Sequence, residues 1–512
     1  MHHVSLIIEF LRGRPTAVFW FVALSQGVLW TLVPALFYSS PPGDVPLVLA
    51  VGREFLLGSY LGPPLAFWVA EIVFRIGGVF GLYALSQICI VIALWAVFTL
   101  GRSVIGTRHA VLGILLMVGI AAFTVPSPAF GPAVLAIPLW ALALMLYWRA
   151  LGEGKRGDWF LLGIDLGLLL LTHYAGIVLI ALLVVFTPFT AKGRRALRHP
   201  EPWLAIVLLV IVIVPHAAWL FQSRALVLAT LRESVPDASS TWLAVSLVAV
   251  HLGLLLLVIL ASGVPRRRNE RAPEIDRRPV EPAGRSFVYF FALAPAIAVV
   301  VLVFVGERVP QVSVLAALGA LPTWAVLAPF VLLSGMALVL AAGNRVFIYR
   351  ENLVSSSWLA LLLAPPLLLA LSLFVVPWTF ARDNRIAQPS KAAAQFFAET
   401  YQRRTGRPLQ YVSGDARLAP RIAMMAPAGR QGRPHVFFAW APQRSPWVSV
   451  DDVAAHGGVL VWPAAANNAV PADLTAQFPG LVPELPRQFD RAVQGRLPPI
   501  RIGWAVLRPP AQ

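Results

Sequence analysis

Apolar residues in this chain come in long unbroken blocks. Residues 204–220, 242–261 and 359–380 each run near the roughly 20 residues that carry a helix across a bilayer core. The blocks lack the period-two alternation of a barrel strand, so the pattern predicts helices. Run length predicts about eleven spans, near residues 17–37, 79–99, 110–125, 132–148, 159–172, 174–190, 203–221, 241–262, 286–305, 322–342 and 356–380. The fifth and sixth share one apolar block. Helices that are apolar all round leave no surface for water. The expected fold class is therefore an all-α polytopic membrane protein.

Three segments break this pattern. Residues 39–78 form a long first loop that holds Pro41-Pro42-Gly43-Asp44 and Gly62-Pro63-Pro64. Between these turns, residues 45–57 predict a helix lying on the membrane surface. Residues 265–285, rich in Arg, Pro and Glu, read as a disordered cytoplasmic linker between two membrane halves. The tail, residues 381–512, predicts a helix over 390–404 and strands over 409–412, 435–439, 458–462 and 500–506, separated by turn signals. The chain thus divides into a membrane domain over 1–380 and a small α/β domain over 381–512.

Composition agrees with this division. Only 13% of residues are charged and 58% are hydrophobic, against about 25% charged in soluble domains. The net charge of +17 would suggest nucleic acid in a soluble protein. Here it reports topology, and no nucleic-acid partner is expected. With a cytoplasmic N-terminus, twenty Lys and Arg lie in cytoplasmic segments against five in the short outside loops, namely Arg53, Arg75, Arg224, Arg232 and Arg308. An odd span count then puts the tail outside. The one cysteine, Cys89, excludes an internal disulfide and a Cys-based metal site. Residues 18–38 are too long for a signal-peptide core and read as a retained first span.

The most informative stretch is Asp44-Val45-Pro46 through Arg53-Glu54-Phe55. Two readings of Asp44 stand side by side. It caps the helix starting near Pro46, as cap statistics favour. Or a carboxylate just beyond the first span deprotonates an acceptor hydroxyl or holds a divalent cation. Glu71 and Arg75, four residues apart, read as a surface pair. Asp165 falls inside a predicted span, where a carboxylate is functional by default, or else it is interfacial. His216 reads as a packing histidine in preference to a ligand, and Arg266-Arg267-Arg268 as a topology signal or lipid contact. Trp440, Trp447 and Trp462 stack on sugars or fill a core. The tail itself reads as a lid in preference to an acceptor-binding module. No His/Asp cluster has metal spacing and no Gly-rich phosphate loop follows a strand.

The order of these features resembles a known group. Asp44, Arg53-Glu54-Phe55, Tyr60, Gly62-Pro63-Pro64 and Leu65-Ala66-Phe67-Trp68 are similar to the first outer loop of the GT-C superfamily. Within it, the resemblance is to bacterial glycosyltransferase family 39, the dolichyl-phosphate-mannose-protein mannosyltransferase and aminoarabinose-transferase-like group. Downstream, Leu139-Trp140, Trp148-Arg149-Ala150-Leu151, Asp158-Trp159, Leu171-Thr172-His173-Tyr174, Pro202-Trp203 and Pro215-His216 continue it over roughly the first 220 residues.

This resemblance implies a function. A polyprenyl-phosphate sugar in the outer leaflet would be the donor. A lipid or glycolipid of the cell envelope, such as lipid A or a lipopolysaccharide core, would be the acceptor. Asp44 would act as base, with inversion at the anomeric carbon, and the lipid phosphate would leave. Arg53, Glu54, Tyr60, Arg75, His173 and Tyr174 would bind substrate. No cofactor is implied beyond an optional divalent cation, and no metal ligands are assigned. Four positions depart from the family pattern: Val45 replaces a Glu, Gly62 a Lys, His173 a Lys, and Pro128-Ala129-Phe130-Gly131-Pro132 a segment that often carries Asn or Asp. The phosphate then falls to Arg53, Arg75 or His173. A degenerate GT-C scaffold and a lipid-linked-sugar flippase are the competing readings. A flippase would show paired broken helices in two related halves, which the sequence lacks.

Overall fold

The structure is a computed structural model that describes residues 9, 11–224, 239–263, 274–277, 279–309, 324–380, 382, 384–429, 432–438, 444–464, 470–479 and 481–510. Two units make up the chain. The first comprises residues 1–32, 61–65 and 82–367, and the second residues 33–60, 66–81 and 368–512.

Six described helices are long and apolar enough to cross a membrane: Pro15–Phe37, Leu65–Ile105, Pro132–Leu151, Glu201–Gln222, Pro282–Arg308 and Glu351–Thr379. A seventh span is the pair Ser240–Val250 and Leu252–Ser262, bent by 45°. The other four predicted runs are helical but shorter, over Thr107–Met117, Asp158–Leu170, Gly176–Phe189 and Ala325–Ala341. All the predicted apolar runs are therefore helical, and the chain is a multi-pass membrane protein. The helix Glu201–Gln222 shows why. Its Trp203, Val207, Val210, Ile211 and Val214 are all exposed, a surface that only lipid covers without cost.

In the first unit, helices meet through small residues and aromatic rings. A β-carbon at Gly163 would strike the Ala205 backbone, and one at Gly167 the Val212 side chain. These glycines let Asp158–Leu170 lie directly on Glu201–Gln222. Tyr147, Phe186, Phe287 and Phe291 form a buried ring cluster. The Tyr147 hydroxyl lies 2.8 Å from Thr187 Oγ1, which satisfies its one polar atom.

The predicted disordered linker is partly folded. Strand β1 (Glu274–Asp276) pairs antiparallel with β2 (Arg345–Phe347). Ile275, only 1% exposed, gives the segment the buried anchor that composition alone hides. The helix Pro282–Arg308 also starts inside the predicted linker. Arg266-Arg267-Arg268 lie outside the described residues.

The second unit carries a five-stranded sheet: β3 (Tyr411–Gly414), β4 (His435–Phe437), β5 (Gly458–Pro463), β6 (Arg487–Phe489) and β7 (Ile500–Leu507). The order is β4-β3-β5-β7-β6, with β3 parallel to β4 and β5, and β7 antiparallel to β5 and β6. Strand β5 is apolar at every position because both faces are covered. Val459 and Val461 pack with Phe397, Tyr401 and Ile422 on one side, while Leu460 and Trp462 pack with Leu474 and Phe478 on the other. The helix Ser390–Thr405 turns Ala393, Ala394, Phe397 and Tyr401 inward, a spacing that lines one helical face. Trp462 is fully buried and Trp447 donates to the Val436 carbonyl at 3.0 Å, so both are core residues. Trp440 lies outside the described residues. Strand β6 has no counterpart in the sequence reading, since its three residues carry no alternating pattern.

The predicted surface helix is corrected. It spans Val45–Gly52, and every residue but Leu47 is buried. Ala50 joins the core that holds Ala419, Ile422 and Ala423. A run that is apolar on all sides suits a protein interior better than an interface, where one face must stay polar. The helix Leu65–Ile105 also extends further back than the predicted span. It carries a break at Gly78, whose φ of 58° is the left-handed region glycine adopts freely.

Candidate functional site

The candidate residues fall in two groups. Asp44, Arg53, Glu54, Tyr60 and Arg75 belong to the second unit, and His173 and Tyr174 to the first.

Asp44 occupies the position before the helix Val45–Gly52, yet its side chain makes no cap hydrogen bond. Its φ of −100° and ψ of 17° differ from the extended geometry in which an N-cap side chain folds back on its helix. The carboxylate is exposed. Tyr60 senses it. Burial pushes the Tyr60 phenol up to about 12, Asp44 adds to that, and Arg444 opposes it. The Arg444 guanidinium carbon lies 5.3 Å from the Tyr60 ring centre.

Arg53 and Glu54 meet through a tail residue. Arg53 Nη2 lies 3.0 Å from His435 Nε2, and His435 Nδ1 lies 2.7 Å from Glu54 Oε1. Tyr411, opposite His435 in the β3–β4 register, stacks on the imidazole at 5.5 Å. Burial lowers the Arg53 guanidinium from its ordinary value, while Glu54 and Glu71 raise it. The turn after the helix is tight. Glu54 and Phe55 donate their N–H groups to the Val51 and Gly52 carbonyls at 3.1 and 3.2 Å. Phe55 holds a φ of 48°, a region bulky residues rarely enter.

Arg75 pairs with Glu71 at 2.8 Å, as the helical spacing predicts, and its guanidinium carbon lies 5.2 Å from the Phe55 ring centre. Glu71 has a second cation, Arg433, bonded to its other oxygen. The Glu71 side chain is 2% exposed and that of Arg433 11%, so this is a buried pair. Arg433 also lies 4.5 Å over the Phe74 ring. Burial lowers the Arg433 guanidinium, and Glu71 raises it. Two arginines on one carboxylate leave this corner net positive.

In the first unit, His173 is buried in the turn between Asp158–Leu170 and Gly176–Phe189. Its Nδ1 accepts the Ala175 N–H at 3.1 Å. An imidazole that accepts at Nδ1 carries its proton on Nε2 and is neutral. The Tyr174 hydroxyl lies 3.1 Å from His216 Nε2, and the two rings stack. His216 is thus a packing residue with a polar partner, as expected. Asp165 is also buried in this unit.

Arg433, His435 and Arg444 contact these candidate residues, and the sequence reading missed them. His435 opens a predicted strand, but its partner Arg53 is 382 residues away, and no local pattern carries that pairing. Among the described residues, no three His, Cys, Asp or Glu side chains converge as a metal site.

The chain superposes on the crystal structure of ArnT from Cupriavidus metallidurans bound to undecaprenyl phosphate. The TM-score is 0.56 and the identity 15%, over 97% of this chain and 99% of that one. The apo structure of the same ArnT gives a TM-score of 0.48 at 14% identity over the same shares. The oligosaccharyltransferase of Archaeoglobus fulgidus gives 0.41 at 15% identity, over 80% of this chain and 62% of that one. The chain therefore shares the fold of that ArnT. Residues 62–219 match the family model of dolichyl-phosphate-mannose-protein mannosyltransferases. That stretch includes Arg75, His173 and Tyr174 and begins after Asp44 and Arg53. No curated protein matches the chain by sequence.

Proposed function

We propose that this protein transfers a sugar from a polyprenyl-phosphate donor to a hydroxyl of a cell-envelope lipid or glycolipid, at the periplasmic face of a bacterial inner membrane. The acceptor oxygen attacks the anomeric carbon and the bond to phosphate breaks behind it, so the centre inverts. The acceptor proton passes to Asp44, and the polyprenyl phosphate departs with the bonding electrons. A donor with this tail never leaves the bilayer, so the chemistry belongs at the interface.

The observation that carries this reading is the carboxylate of Asp44, exposed and making no cap bond at the start of an otherwise buried helix. An exposed carboxylate that makes no cap bond to its own helix is suited to work as a base. Arg53 and Arg75 supply the positive charge that a departing phosphate needs, since Arg75 shares Glu71 with Arg433. Glu54 and Tyr60 shape the same corner.

The test is an assay in purified membranes with a panel of polyprenyl-phosphate sugars and envelope lipids, read by mass spectrometry. The wild type is expected to glycosylate at least one acceptor, and Asp44→Ala to abolish that product. Absence of transfer by the wild type from every donor would favour the scaffold or the flippase.

A further inference from the structure

The contact between Arg53 and His435 has only one chemically consistent form. A guanidinium has five N–H donors and no acceptor. With Arg53 Nη2 at 3.0 Å from His435 Nε2, Nε2 must accept. The imidazole proton then sits on Nδ1, where it donates to Glu54 Oε1 at 2.7 Å. Tyr411 covers one ring face. Two edges and a face of His435 are fixed, and its neutral Nδ1–H tautomer with them.

We propose that His435 is a positioning residue: as a neutral acceptor it aims the Arg53 guanidinium toward a lipid-linked phosphate, and protonation of Nε2 releases that aim. A protonated Nε2 cannot accept from Arg53 and places a second positive charge against it. The imidazolium keeps its bond to Glu54, so the bond that breaks is the one to Arg53. Other charged or titratable groups around this corner are Glu71, Arg75 and Arg433, on Arg53's side, and Asp452 and His456, which reach it through Tyr411. The proposal rests on the transferase reading for its ligand class, a polyprenyl phosphate.

The experiment measures binding of undecaprenyl phosphate to the full-length protein in detergent, at about pH 7.5 and about pH 5.5. The variants are His435→Gln and His435→Ala. Gln places an amide oxygen near Nε2 and does not titrate. The lipid phosphate has its own second ionisation near pH 6 (about that of a phosphoamino acid), so the readout is the difference between proteins. The wild type is expected to lose affinity on acidification by about tenfold more than His435→Gln, the factor for one charge-assisted hydrogen bond. His435→Ala is expected to bind about tenfold more weakly than the wild type at about pH 7.5. Equal acid losses in wild type and His435→Gln would overturn the proposal. So would wild-type affinity in His435→Ala, or no binding by the wild type. Sugar transfer is assayed on the same preparations. Binding that follows this pattern without any transfer would overturn the transferase reading and leave the positioning role standing.

Discussion

At the scale of single residues, charge pairing accounts for most of this corner. Glu71 is almost wholly buried and holds both Arg75 and Arg433. Removing the buried cation alone leaves the buried carboxylate with only the exposed Arg75 for a partner, whereas removing Glu71 and Arg433 together leaves no buried charge and only that exposed arginine. Arg433→Met is therefore expected to destabilise the second unit by about 3 kcal/mol, and Glu71→Leu with Arg433→Met to restore stability to within about 1 kcal/mol of wild type. Thermal melts of the wild type and the two variants check this, and equal losses in the single and double variants would refute it. The helical spacing of Glu71 and Arg75 announced their pairing. The spacing said nothing of Arg433, because a contact across 362 residues leaves no local mark. The same limit hid His435. The Asp44 side chain shows the reverse case, since local statistics favoured a cap bond that it does not make, its backbone lying outside the extended cap geometry.

At the scale of elements, the helix Val45–Gly52 sets where Arg53 and Glu54 begin. A β-carbon at Gly52 would overlap the Phe67 carbonyl oxygen, so only glycine permits this approach. Gly52→Ala is expected to cost about 1–3 kcal/mol and to weaken undecaprenyl phosphate binding by displacing Arg53. Unchanged melting and unchanged binding would contradict it. In the tail, Ser449 and Asp452 form a reciprocal cap on Val450–His456. The Ser449 side chain and backbone hold the Asp452 carboxyl below the usual range. A lowered carboxyl stabilises fully above the ordinary Asp value, near pH 4, and loses that stabilisation as pH falls through its lower folded value. Ser449→Ala is expected to lower the melting temperature at neutral pH and to flatten this acid loss, as melts across pH would show. Elements such as these were largely legible in the sequence. Apolar run length located each span, and turn residues bracketed four of the five tail strands. What run length cannot show is which apolar surface meets lipid and which meets protein, and so Val45–Gly52 was expected at an interface. The pairing of Glu274–Asp276 was hidden in the same way, because a single buried Ile275 outweighs a charged, Pro-rich neighbourhood.

At the scale of the whole molecule, the proposed orientation makes a separate demand. Cys89 is the sole cysteine and is buried, so Cys89→Ala gives a clean background for single reporters. Ala455→Cys in the exposed part of the tail is expected to react with a membrane-impermeant maleimide added outside spheroplasts. Lys155→Cys, exposed between Pro132–Leu151 and Asp158–Leu170, is expected to react only after lysis. The opposite pattern would put Asp44 on the wrong side for an outer-leaflet donor. The most direct measurement is steady-state transfer by Asp44→Asn, which keeps the shape of the side chain and removes its basicity. Loss of a general base predicts a fall in kcat of about a hundredfold or more, with undecaprenyl phosphate affinity within about threefold of wild type. Turnover at the wild-type rate in Asp44→Asn would show that the acceptor proton goes elsewhere and would contradict the account.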